Sequence, residues 1–208
     1  MTAQELFKVS PVVPVVVLER VEDAVPLAEA LLEGGVGIME VTLRSEAALG
    51  AIEAIAKAVP QMNVGAGTVI NAEGLLRVRE AGGRFSFSPG ISSELLQTAV
   101  QEGITFIPGV ATASELMAAI NAGMTGCKLF PATAVGGINL LKGFYGPFPD
   151  MRFCPTGGVG LENMNDFLAL PNVDCVGGSW IVPKAAVSGG EFGKITALCK
   201  EALTAAVR

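Results

Sequence analysis

An apolar, β-branched or aromatic run recurs about every 20 to 26 residues along this chain, over residues 12–18, 38–43, 63–69, 84–88, 105–108, 126–130, 151–155 and 174–180. Runs of this length and composition are strand candidates. Between them lie segments with helical spacing of apolar residues, at 21–32, 46–58, 72–80, 92–100, 112–121, 161–168 and 192–207. In 46–58, Leu49, Ile52, Ile55 and Ala56 form one face that Val59 continues. Ser45, Asn71, Ser92 and Thr112 stand where N-caps belong, and Gly34, Gly35, Gly82, Gly83, Gly103 and Gly123 stand where helices stop. The two glycines at 136 and 137, after the sixth run, read as a flexible loop.

Eight strand–helix units in one chain predict an α/β fold, a short (β/α)8 TIM barrel with few insertions, as a single domain over 1–208. An open doubly wound sheet is the alternative built from the same units. Pro14 is the discordant residue, because a strand proline cannot donate to the ladder.

Composition then narrows the function. The 208 residues carry 14 basic and 20 acidic side chains, a net charge of −6, so the basic footprint of a nucleic-acid binder is absent. No apolar run reaches the roughly 20 residues a membrane helix needs, and the N-terminal segment lacks the pattern of a signal peptide. The cytoplasm is the expected location. Only 16% of residues are charged, lean for a monomer, which points to surface covered by a partner subunit. There is no histidine, which removes Ser-His-Asp triads, histidine bases and histidine metal ligands. Cys127, Cys154, Cys175 and Cys199 are far apart and read as reduced, buried thiols. No metal site and no cofactor are expected. Chemistry falls to Lys, Glu, Asp, Arg, Thr, Ser or the backbone.

In a parallel barrel that chemistry sits at the C-terminal ends of strands. Lys128, within the sixth run, shares a strand face with Phe130, while Cys127 and Leu129 take the other. A free lysine has a pKa near 10.4, so only about 1 in 2,500 is neutral at pH 7. An apolar surrounding favours the neutral amine, a nucleophile that forms Schiff bases with carbonyls. A structural ion pair is the competing reading. Glu40, Thr42 and Arg44 share one face at the end of the second run, a carboxylate and a guanidinium suited to proton transfer and to a carboxylate clamp. A strand-end ion pair is again the alternative. Glycine pairs end the last two runs, Gly157 and Gly158 then Gly177 and Gly178, followed by Ser179. Their amides and the hydroxyl suit a phosphate, although glycine pairs also mark ordinary turns. Gly65, Gly67 and Thr68 end the third run, for close packing or a substrate oxygen. Trp180 and Tyr145 read as packing residues.

Gly35-Val-Gly-Ile-Met-Glu-Val-Thr-Leu-Arg44 and Lys128-Leu-Phe-Pro-Ala132 resemble the two signature segments of the 2-keto-3-deoxy-6-phosphogluconate (KDPG) and 4-hydroxy-2-oxoglutarate (KHG) aldolases. Val64-Gly-Ala-Gly-Thr-Val69, Ser88-Pro-Gly90, Arg152-Phe-Cys-Pro-Thr-Gly-Gly158 and Gly177-Gly-Ser-Trp180 resemble that family's other blocks in the same order. The resemblance implies a metal-free class I aldolase, a homotrimer acting on a phosphorylated 2-keto acid to give pyruvate and glyceraldehyde 3-phosphate. It implies Lys128 as the Schiff-base lysine and Glu40 as the proton carrier. Arg44 and Thr68 would hold the pyruvate carboxylate; Gly157, Gly158, Gly178 and Ser179 the phosphate; Thr156 would lie beside the substrate hydroxyls, and Pro89 and Phe130 would wall the pocket. Two positions depart from the pattern: Cys127 replaces a common aliphatic residue, and Thr133 stands where an acidic residue is frequent. The related phosphogalactonate aldolase, a phosphosugar epimerase or isomerase, and a non-catalytic sugar-phosphate binder are the other functions that the same residues allow.

Overall fold

The computed structural model describes residues 1–206. Its strands are β1 (Val12–Val16), β2 (Ile38–Thr42), β3 (Asn63–Gly67), β4 (Ser86–Phe87), β5 (Phe106–Ile107), β6 (Gly109–Val110), β7 (Gly126–Leu129), β8 (Arg152–Pro155) and β9 (Val176–Gly178). Its helices are α1 (Ala3–Phe7), α2 (Ala24–Glu33), α3 (Ala48–Ala58), α4 (Ala72–Glu80), α5 (Ser93–Gln101), α6 (Ala113–Asn121), α7 (Gly137–Tyr145), α8 (Met164–Leu168), α9 (Lys184–Ser188) and α10 (Phe192–Ala205). Every strand pair is parallel. Six strands form a curled sheet in the order β5-β4-β3-β2-β1-β9, and β6-β7-β8 form a second sheet. Single bridges join Phe153 to Val173 and Thr156 to Gly177, between β8 and the chain of β9.

Helix faces cover the sheet as the spacing requires. In α3, Ala48, Ala51, Ile52 and Ile55 are buried. In α2, Leu27, Ala28 and Leu31 are. Removing one such Leu or Ile side chain from water contributes about 1.5–3 kcal/mol. Asn71, Ser92 and Thr112 accept from the backbone amides of Gly74, Leu95 and Glu115, capping α4, α5 and α6. Those three helices stop on Gly82, Gly103 and Gly123, each with positive φ, a backbone state that glycine enters without penalty. Among the described residues no helix is long and apolar enough to cross a membrane.

Several expectations need correction. Ser45 does not cap α3, whose N-cap is Ala47; its hydroxyl donates 2.5 Å to the carbonyl of Leu18, a long-range partner with no local sequence signal. Gly136 and Gly137 are not a loose loop: Gly136 is the left-handed N-cap of α7 and Gly137 is its first residue. The fifth run continues past Pro108, which splits it into β5 and β6. Pro14 lies inside β1, flanked by β2 and β9, and its missing amide faces β2 just before the first registered pair of those strands, Val15 with Glu40. Tyr145 is 42% exposed and not a core packing residue. The expected last helix ends at Ala205, and Val207 lies outside the described residues. Helices α1 and α9 have five residues each, too short to present a period.

Helix α1 lies across the N-terminal ends of the strands. Phe7 is fully buried and stacks on Phe87 with ring centroids 6.4 Å apart. A side chain on Gly126, the first residue of β7, would come within 2.8 Å of Ala3 and 2.9 Å of Phe7.

Candidate active site

The C-terminal ends of β2 and β7 bring together two opposite charges inside the apolar interior. Lys128 is 5% exposed and Glu40 1%. The Lys128 ammonium donates to both Glu40 carboxylate oxygens, Nζ–Oε1 at 3.1 Å and Nζ–Oε2 at 3.3 Å. The rings of Phe87 and Phe130 lie 5.2 and 5.3 Å from Nζ, within the reach of cation–π attraction. Strand alternation sends Cys127 to the opposite face, where burial pushes its thiol up to about 12. The ion pair and the nucleophile readings of Lys128 are therefore compatible: the pairing supplies a carboxylate within proton-transfer distance of the amine.

The room for Glu40 comes from β3. Glu40 pairs with Gly65, and Thr42 with Gly67. A Cβ on Gly67 would sit 1.8 Å from Glu40 Oε1, and one on Gly65 would sit 2.4 Å from the Phe85 carbonyl. The small residues at the end of β3 thus serve close packing. Lys128 is held through its backbone: its amide donates 2.9 Å to Pro108, and it registers with Gly109. The Gly109 amide in turn donates 3.2 Å to the buried Ser88 hydroxyl, which itself donates to the Gly90 carbonyl. Ser88 was visible in sequence only as part of a turn, because its role depends on a partner 21 residues away.

The other residues expected at the carboxylate end divide. Arg44 is exposed in the turn after β2 and makes no ion pair among the described residues. Thr42 does not offer its hydroxyl to the pocket; it donates 3.0 Å to the Val16 carbonyl, tying β2 to β1. Thr68 is half-buried, with φ at 59°, the single non-glycine residue of positive φ among those described. For a β-branched residue that state costs about 1–3 kcal/mol. It is held by flanking bonds, Leu43 to Gly67 and Val69 to Phe87, at 2.8 and 3.1 Å. Pro89 is exposed at the rim, beside buried Ser88.

The glycine pairs lie on neighbouring strand ends. Thr156 is buried and bridges Gly177, and its hydroxyl donates 3.4 Å to the Cys154 carbonyl. Gly157 and Gly158 both have positive φ, 98° and 75°. Gly178 is buried beneath the Trp180 ring, 1.9 Å from where a Cβ would be, and Ser179 is exposed beyond it. Thr133 packs against the Gly157 and Gly158 turn, its amide donating 3.1 Å and its hydroxyl 3.3 Å to the Gly157 carbonyl. Asn163, absent from the sequence reading because nothing local distinguishes it, donates 2.9 Å to the Gly158 carbonyl. Among the described residues no three His, Cys, Asp or Glu side chains gather as a metal would need.

The site thus combines a buried ion pair, an exposed guanidinium in the turn after β2 and a glycine-rich turn after β8. A family model, KDPG and KHG aldolase, matches residues 3–198. The chain is 50% identical over 205 residues to the 2-dehydro-3-deoxy-phosphogluconate aldolase of Pseudoalteromonas atlantica, covering 99% of this chain and 95% of that one. It is 49% identical to the KHG/KDPG aldolase of Escherichia coli K12, covering 99% and 96%. The fold matches a KDPG aldolase from Legionella pneumophila, solved with pyruvate captured as a covalent carbinolamine, at a TM-score of 0.93 and 47% identity over 95% and 96% of the chains.

Proposed function

Since the chain belongs to the KDPG and KHG aldolase family, we propose that it is a class I aldolase cleaving KDPG, the Entner–Doudoroff intermediate, to pyruvate and glyceraldehyde 3-phosphate, and KHG to pyruvate and glyoxylate. The observation that carries this reading is the buried Lys128–Glu40 pair, 3.1 Å apart between Phe87 and Phe130.

Lys128 passes its proton to Glu40, and the neutral amine adds to C2 of the keto acid. Glu40 returns that proton to the carbinolamine hydroxyl, which leaves as water. The resulting iminium is the electron sink for the C3–C4 bond, so no metal enters. Glu40, through a water, takes the C4 hydroxyl proton as the aldehyde departs. It then protonates the enamine at C3, and hydrolysis frees pyruvate and Lys128. Arg44 and Thr68 hold the carboxylate, Thr156 faces the substrate hydroxyls, and Pro89 and Phe130 wall the pocket. Gly157, Gly158, Gly178 and Ser179 hold the phosphate. The uncommitted charge of Arg44 and the strained Thr68 backbone support this division.

The strands form one closed (β/α)8 barrel in this reading, a single domain. Its support is the continuity of β5 into β6 through Pro108 and the Thr156–Gly177 bridge, which together link the two sheets at both edges. The subunits form a homotrimer in the cytoplasm; the exposed Val100, Met117 and Ile120, at 57%, 54% and 39%, suit a covered face.

The test is borohydride reduction in the presence of pyruvate with peptide mapping. A single adduct on Lys128 is expected, with no adduct and no cleavage in Lys128→Ala. Full trapping in that variant overturns the assignment.

A further inference from the structure

Three successive carbonyls in the turn after β8 are each tied back by a donor outside the turn. The Thr156 carbonyl accepts from the Ala132 amide at 2.8 Å and the Gly157 carbonyl from the Thr133 amide at 3.1 Å. The Gly158 carbonyl accepts from Asn163 Nδ2 at 2.9 Å. In a planar trans peptide, the carbonyl of one residue and the amide of the next point in opposite directions. Fixing the carbonyls of Thr156, Gly157 and Gly158 therefore aims the amides of Gly157, Gly158 and Val159. The first two point away from β7, toward the side where Thr156 bridges Gly177 of β9. The Gly157 amide faces the Gly177 carbonyl across that bridge, whereas neither the Gly158 nor the Val159 amide finds a carbonyl acceptor among the described residues. Asn163 is itself fixed, because its Oδ1 accepts from the Gly160 amide at 2.9 Å. Thr133 closes the turn from the other side, so that a Cβ on Gly158 would come 2.0 Å from Thr133 Oγ1.

We propose that Asn163 is a positioning residue for the phosphate: by holding the Gly158 carbonyl it turns the Val159 amide into a backbone donor beside that of Gly158. The inference rests on the phosphate reading above and extends it to a side chain that does not touch the ligand. Its chemistry is that of an anion cradle of successive amides, where orientation and not side-chain charge supplies the attraction.

The experiment compares KDPG and KHG cleavage, with inorganic phosphate as a competitive probe, in the intact enzyme and in Asn163→Ala and Asn163→Asp. The aspartate keeps an acceptor for the Gly160 amide but cannot donate to the Gly158 carbonyl, so it separates the two bonds. Losing one amide contact to a charged group corresponds to about 10-fold. KM for KDPG should rise about 10-fold more than KM for KHG in both variants, and the inhibition constant for inorganic phosphate should rise in parallel. Equal losses on both substrates, or an aspartate variant with the phosphate selectivity of the parent, would overturn the role of Asn163. An unaltered enzyme that neither prefers KDPG nor binds phosphate competitively would instead overturn the phosphate reading and this inference with it. Melting temperatures of both variants identify a general loss of structure, and if the alanine variant unfolds the aspartate variant decides.

Discussion

Glu40 fills the space that a side chain on Gly67 would need: a Cβ there would lie 1.8 Å from Oε1. The carboxylate reaches Lys128 only because β3 ends without a side chain beside it. Gly67→Ala should therefore displace Glu40 more than it unfolds the protein. Overpacking of this kind costs about 1–3 kcal/mol, and activity should fall by well over 10-fold. Calorimetry beside steady-state kinetics checks this; a variant with normal activity would mean that Glu40 has another way to sit.

Glu40→Gln keeps the shape and a hydrogen-bond acceptor for Lys128 but removes the carboxylate proposed above as the base. Proton-transfer groups contribute about 10²–10⁴-fold, so kcat for KDPG should drop by that range. Single-turnover measurements should find both adduct formation and C–C cleavage slowed, because the proposed mechanism gives Glu40 a part in each step. Slowing of cleavage alone would confine its role to the C4 proton.

Ser179→Ala removes one hydroxyl at the exposed end of β9. A hydrogen bond to a charged group contributes roughly 1–3 kcal/mol. The loss in kcat/KM for KDPG should be about 5- to 150-fold, with a much smaller change for KHG. Equal losses on the two substrates would make Ser179 a structural residue.

Burial pushes the thiols of Cys127 and Cys199 up to about 12 and about 11, against an ordinary value of 9.0. Each stays protonated in the native state at pH 8, so iodoacetamide should label neither until the protein is unfolded. The same shifts act on stability. Above pH 9 the unfolded chain releases thiol protons that the native state retains, so it binds fewer protons and stability falls as pH rises toward 12. The denaturation midpoint should decline over that range, and Cys127→Val should lessen the decline. An identical decline in parent and variant would remove Cys127 from the account.

Much of this site can be read from order and spacing, because strand alternation and strand ends are local properties. Lys128 beside Phe130 on one face, Cys127 on the other, and Asn71, Ser92 and Thr112 as caps all follow from near neighbours. What escapes is long-range. Ser45 looks like a cap and instead bonds Leu18, 27 residues back. Thr42 shares a face with Glu40 yet spends its hydroxyl on Val16. Ser88 and Asn163 acquire their roles from backbone groups that no periodicity marks. Gly136 and Gly137 read as slack, because a helix begun by a left-handed glycine lacks the side-chain cap that announces α1, α4, α5 and α6.

The short helix under the sheet has a consequence for handling the enzyme. Phe7 touches Phe87, and Phe87 borders Lys128 at 5.2 Å, so only one ring separates α1 from the Lys128 amine. That helix works as a stopper seated against the start of β7, where a side chain on Gly126 would meet Ala3 and Phe7. Trimming the leading residues to tidy an expression vector would open a drain beneath Lys128, whereas an extension ahead of Met1, which is 55% exposed, would leave the stopper seated.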